Sequence, residues 1–213
     1  MYLYKLAVAM SICLMIVSAL DYVRRAWKRK TEPVPATWIL MMVMMGLSGW
    51  MYWQNPHKTL TGNIGVMAGN ANVAIILTGV MAARIRRYRT LAVAFDGVQL
   101  TCLAFGALIV LFWCLTKQPL TSYILVQCIA LVAYAATVAR LWKAMRTTEP
   151  LFLWVSVLLA NLCAIYPAWV RHDPYSWIYL ARAVPSTVGV IWLIVRIKRR
   201  THFAMITRDQ YDW

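Results

Sequence analysis

Acidic residues are nearly absent from this chain: seven Asp and Glu occur in 213 residues, against 22 Lys and Arg. Residues of either charge make up 14% of the chain and hydrophobic residues 62%, where a soluble domain carries about 25% charge. A water-soluble globule is thereby excluded. Histidine is equally scarce; His57, His172 and His202 all fall in loops or near the C-terminus. Clustered ligands of a membrane metal hydrolase are therefore missing, and no metal or other cofactor is expected. Gly46-Leu47-Ser48-Gly49 is not the Gly-x-Ser-x-Gly elbow of a serine hydrolase, and no apolar stretch contains a His to act as its base. Glycine-rich phosphate loops and Asn-x-Ser/Thr sequons are also lacking. Cys13, Cys102, Cys114, Cys128 and Cys163 lie in apolar stretches and read as packing residues, not as a disulfide framework. With no chemistry to assign, the chain is expected not to be an enzyme.

What is present is length in apolar runs. A bilayer core about 30 Å thick takes about 20 mostly apolar residues per helix, and seven stretches qualify, at roughly 3–20, 34–53, 62–83, 91–115, 120–139, 150–170 and 175–195. The expected class is all-α, a polytopic membrane protein with seven transmembrane helices. The basic residues sort by alternate connections. Seventeen follow helices 1, 3, 5 and 7, in the groups Arg24 to Lys30, Arg84 to Arg89, Arg140 to Arg146 and Arg196 to Arg208; Lys5, Lys58, Lys117 and Arg171 lie on the other side. By the positive-inside rule the N-terminus is outside and the C-terminus cytoplasmic, in a cell membrane of bacterial type. The charge excess thus describes topology and not a nucleic-acid partner; the cytoplasmic rim suits anionic lipid headgroups. Self-association is compatible with this reading. The first segment is too well matched by a later one to be a cleaved signal peptide.

That match is an internal repeat. Val23, Arg25, Trp27 and Lys28 recur as Val138, Arg140, Trp142 and Lys143; Thr31-Glu32-Pro33 recurs as Thr148-Glu149-Pro150, and Trp38 as Trp154. Arg84-Ile85-Arg86-Arg87 ends helix 3 as Arg196-Ile197-Lys198-Arg199 ends helix 7, 112 residues later. The order is the same each time, so residues 1–90 and 119–200 read as two triple-helix units, with 91–118 a linker helix and 201–213 a tail. One intervening helix gives both units the same direction across the membrane.

A 3+1+3 arrangement of parallel triple-helix units in this length resembles the SWEET and PQ-loop superfamily of small membrane carriers. Helix 5 begins Gln118-Pro119, the reverse of the Pro-Gln pair that names the PQ-loop proteins, and helix 1 has no proline. The resemblance implies a carrier of a small polar solute (a sugar, nucleoside or small organic anion) working by alternating access, with a polar residue on the third helix of each unit at the substrate. A non-transporting sensor or assembly partner on the same fold is the alternative.

Ionisable groups near the bilayer centre cost about 2.5–3.5 kcal/mol on insertion scales and tend to face a cavity or partner. Arg182 in helix 7 and Asp96 in helix 4 fit that description. Carried inward from the helix ends, the 112-residue offset pairs Arg182 with Asn70, which matches the resemblance in position and residue type. The expected substrate site is therefore Arg182, Asn70 and Asn161, with Asp96 near enough to balance the arginine. A buried ion pair fixing helix 4 against helix 7 is the competing reading. Asn72 falls off the Asn70 face, and Asn161 and Gln127 either line the cavity or, as isolated amides more often do, hydrogen-bond between helices. Trp38 and Trp154, repeat mates near the cytoplasmic ends of helices 2 and 6, are interfacial anchors or an inner gate. Helix 7 has no central lysine, which excludes a retinal protein.

Overall fold

The computed structural model describes residues 1–90, 92–143, 147 and 149–209, apart from the side chains of 133, 135–137, 139, 140, 143 and 201–209. Arg146 and Thr148 lie outside the described residues, as do the side chains of Arg140, Lys143 and Arg208. The order is α1 (Tyr2–Trp27), α2 (Pro35–Trp53), α3 (Ile64–Tyr88), α4 (Gly97–Thr116), α5 (Pro119–Lys143), α6 (Leu151–Arg171) and α7 (Pro174–Asp209), with no strand among the described residues. Five helices, α1, α3, α4, α6 and α7 over Pro174–Arg200, are long and apolar enough to cross a membrane; α5 contributes a shorter apolar stretch, Pro119–Val132. In α2 the side chains of Trp38, Trp50, Tyr52 and Trp53 dilute the aliphatic content. These helices make the chain a multi-pass membrane protein.

Each helix buries a stripe and leaves the remainder apolar. In α1 the buried residues Val8, Ser11, Met15, Ser18, Ala19 and Tyr22 recur at spacings of three and four, while Leu6, Met10, Val17 and Leu20 are exposed. α4 is the extreme case. Only Cys102, Gly106 and Ile109 are buried, and Phe105, Leu108, Leu111 and Leu115 stand out from the protein. Such a surface is stable against lipid tails and would be an aggregation site in water.

Six helices close a ring in the order α1, α3, α2, α5, α7, α6 and back to α1, and α4 lies outside it against α2 and α5. The third helix in each group of three sits between the other two. Exchanging α1 with α5, α2 with α6 and α3 with α7 maps the ring onto itself, as a two-fold axis through its centre would. Within the ring α1 runs parallel to α3 and α5 to α7, and α6 runs antiparallel to α1. Tyr4 near the start of α1 bonds Thr61 before α3, at 2.8 Å to Oγ1, and Arg171 at the end of α6 reaches Tyr4 at 3.4 Å. At the opposite end Trp27, the last residue of α1, donates to the Gly79 carbonyl of α3 at 3.0 Å, and Arg196 of α7 lies 3.8 Å from the centre of the Trp142 ring of α5. The end where α1, α3, α5 and α7 finish is the basic one, with Arg24, Arg25, Arg86 and Arg87 in last turns, where they also complement the helix dipoles.

α4 begins later than the apolar run suggests. Asp96 is its N-cap and is exposed: the carboxylate accepts from the Gln99 N–H at 2.7 Å, and the Gln99 side chain accepts from the Asp96 N–H at 3.0 Å. This reciprocal pair satisfies two otherwise orphaned helix-start donors.

Two glycines test the packing. A side chain on Gly79 would meet Val23 of α1, whereas nothing lies within 4 Å of a Cβ placed on Gly46. Gly79→Leu should lower stability by about 1–3 kcal/mol through overpacking, and Gly46→Ala should raise it by about 0.5–1 kcal/mol through backbone entropy. Thermal unfolding in detergent measures both; equal effects would contradict the α1–α3 contact.

Candidate solute site

The site is built outward from two helix starts. Asn63 caps α3, its side chain accepting from the Val66 N–H at 3.3 Å. Asp173 precedes α7, accepting from the Tyr175 N–H at 3.2 Å and from the Ser176 hydroxyl at 2.7 Å. That hydroxyl also lies 2.8 Å from the Gly62 carbonyl, joining the two starts. From these caps the inward faces of the helices follow by helical spacing. On α3 they bring Gly69, Asn72 and Val73, and on α7 Tyr179, Arg182 and Ala183, to one cavity of about 50 Å³ at the centre of the ring. On α2 Trp38, Met41 and Met45 line it, and on α6 Trp154, Val157 and Asn161. The α2 and α6 trios are each 116 residues apart, and the α3 and α7 trios 110 apart.

Arg182 is 9% exposed. Its Nε donates to Gln127 Oε1 of α5 at 2.7 Å, and Gln127 Nε2 donates to Ser48 Oγ of α2 at 2.8 Å. The Ser48 hydroxyl donates in turn to the Met44 carbonyl at 2.8 Å. The guanidinium carbon stands 5.2 Å from the Tyr179 ring centre and 5.6 Å from that of Tyr134. Neutral dipoles and aromatic faces thus hold the cation, an arrangement favourable to charge in a low-dielectric site.

Asn161 is 1% exposed, and neither its amide nitrogen nor its carbonyl oxygen has a hydrogen-bond partner among the described residues. The same is true of the Trp154 indole nitrogen. Buried orphans of this kind are rare and mark either a ligand or a water. Trp38, the repeat mate of Trp154, is satisfied: its indole N–H donates to Tyr22 at 3.3 Å, and the rings meet edge-on at 5.1 Å. Towards the end where α7 starts, the ring interior is filled by Tyr52, Tyr123 and Tyr175, whose centres are 5.8 and 5.0 Å apart, with Asn63 donating to Tyr123 at 3.2 Å.

Two expected members do not join the site. Asp96 is held at the mouth of α4 by its cap and does not balance Arg182; its place is taken by uncharged Gln127. Asn70 turns away from the cavity, donating to the Met45 carbonyl at 2.9 Å and the Val66 carbonyl at 3.0 Å, so it ties α3 to α2. Asn72 takes the cavity-lining position, with its Nδ2 2.6 Å from the Met15 carbonyl and 3.1 Å from Ser18 Oγ. The reason is register. The offset between the third helices is 112 at their basic ends but 110 at their caps, and a two-residue slip turns a helix face by about 200°. The cap pair Asn63 and Asp173 carried that signal in the sequence.

No family model matches the chain, and no match is found among curated proteins or solved structures.

Asn161→Leu replaces an unsatisfied amide with an apolar group of similar size. It should stabilise the protein by roughly 1–3 kcal/mol, the desolvation cost of the orphaned group. Thermal unfolding checks this; a loss of stability would mean that the amide is already satisfied.

Proposed function

We infer that this chain is a membrane carrier that moves a small polar solute by alternating access through the central cavity. On this reading it crosses the membrane seven times, N-terminus outside and C-terminus cytoplasmic, with α1–α3 and α5–α7 as two rocking units, α4 as the linker, and no catalytic chemistry. The observation that carries it is the position of Arg182 and Asn161, a buried cation and an amide unsatisfied among the described residues, which the second unit presents to one cavity walled on its other side by Met41, Met45 and Asn72 of the first. Groups that cost this much to bury are retained in membranes where a pathway needs them. The basic end supports the orientation. The tyrosine cluster closes one side of the cavity, and Trp38 with Trp154 flanks the other, as gates would.

A second reading, a membrane sensor or assembly partner with this fold, draws on the Arg182–Gln127–Ser48 chain, which ties α7, α5 and α2 together as interhelical hydrogen bonds do without any solute. Uptake separates the two. In liposomes holding the purified protein, one of a panel of sugars, nucleosides and small organic anions should accumulate. Arg182→Ala should cut that uptake about tenfold or more, as loss of a charged hydrogen bond worth about 1.5–3 kcal/mol implies. Asp96→Ala should leave the rate unchanged and cost about 1 kcal/mol of stability as a lost cap. A panel without flux, or Arg182→Ala uptake at the parent rate, contradicts the carrier reading.

A further inference from the structure

We propose that the central cavity binds a small monoanion, of carboxylate or nitrate shape and about four heavy atoms, with Arg182 as its counter-charge and Asn161 as its hydrogen-bond partner. It rests on the carrier reading only in taking this cavity as the solute site.

Charge is the first argument. One cation and no Asp or Glu are among the described residues that line the cavity. Gln127, which accepts from Arg182 Nε, is neutral and orients the guanidinium without cancelling its charge. Asp173 stands nine residues earlier, just before the same helix and about 13 Å away along its axis, and its carboxylate serves Tyr175 and Ser176. Asp96 is exposed at the start of α4. The charge balance of the buried site is therefore completed by whatever enters it, and an anion does so where a sugar does not.

Shape is the second. A guanidinium presents several N–H donors in one plane, a fork that matches two coplanar oxygens. The rings of Tyr134 and Tyr179 close to the guanidinium carbon favour a planar ligand in the same layer. Asn161 adds a donor with no acceptor among the described residues, as does the Trp154 indole N–H. The volume of about 50 Å³ holds a group of roughly three to five water-sized atoms, one for each 10–15 Å³. Met41, Met45, Val73 and Val157 supply an apolar wall, which suits the methyl end of a short carboxylate.

The test is thermal unfolding of the full chain in detergent at constant ionic strength, with sodium acetate or nitrate replacing sodium gluconate, which is too large for the cavity. Acetate and nitrate should each raise Tm by about 2 °C or more in a saturable way, as a ligand that binds only the folded state does. Neutral acetamide, which has the size of acetate, should not. Arg182→Gln should abolish the response. Asn161→Asp, which supplies a carboxylate from the protein itself, should fold with at least the parent Tm and no longer respond to acetate. Equal shifts from acetamide, no shift from either anion, or a parent-like acetate response in Asn161→Asp would overturn the proposal. Uptake distinguishes its failure from that of the carrier reading. Anion stabilisation without nitrate uptake into liposomes keeps the anion site and contradicts transport. Arg182-dependent uptake of a neutral sugar without anion stabilisation keeps transport and overturns the anion site.

Discussion

A guanidinium buried among apolar helices governs the arrangement of this protein. A buried cation is costly unless its surroundings are polar, so the structure around Arg182 must supply polarity. It does so with uncharged groups: the Gln127 carbonyl, backed by Ser48, and the rings of Tyr134 and Tyr179. These come from α2, α5 and α7, and the arginine therefore depends on the ring being closed. The dependence runs both ways, because the Gln127–Ser48 hydrogen bond behind the arginine crosses between the two halves of the ring and ties one to the other.

The rest of the architecture follows from the solvent. Apolar side chains on the outer faces, most of all on α4, have no packing role inside the protein, and every ring helix spends its narrow buried stripe on its neighbours. Within the ring, small residues let helices approach: a Cβ on Gly65 or Gly69 would collide with Tyr179 or with Met45. Polar groups that must be inside are paired along the chain of caps, Asn63, Asp173 and Ser176, or across helices, as Asn70 and Asn72 are. Asn161 and the Trp154 indole, which line the cavity with Arg182, are left without partners among the described residues and locate the proposed solute.

Much of this was legible in the sequence because membrane helices are written in long, simple signals. Apolar length located seven helices, the basic residues marked one end, and the shared Trp, Arg and Thr-Glu-Pro pattern suggested two triple-helix units. Arg182 was conspicuous as the lone basic residue within an apolar run. Finer features depended on local geometry that composition hides. Asp96 looked buried because the apolar run extends past it, yet Asp-x-x-Gln is a capping box, and α4 starts at that cap. Asn70 was preferred over Asn72 because the repeat was measured from the arginine-rich ends. The two-residue slip between those ends and the caps reverses which face is inward. Of the two readings open to Gln127, the interhelical hydrogen bond is the one observed, but its partnership with Arg182 joins residues 55 positions apart and has no local sequence signal.

The central claim is that the cavity between the two halves of the ring opens in turn to each side of the membrane. It is tested most directly with a single cysteine at Met41, on the cavity wall, in a chain whose five native cysteines are replaced, reconstituted in one orientation and treated with a membrane-impermeant thiol reagent from either side. Labelling from both sides, slowed from both by the transported solute, is the predicted result. Labelling from one side alone, or from neither, would contradict an alternating pathway and leave Arg182 as a structural tie.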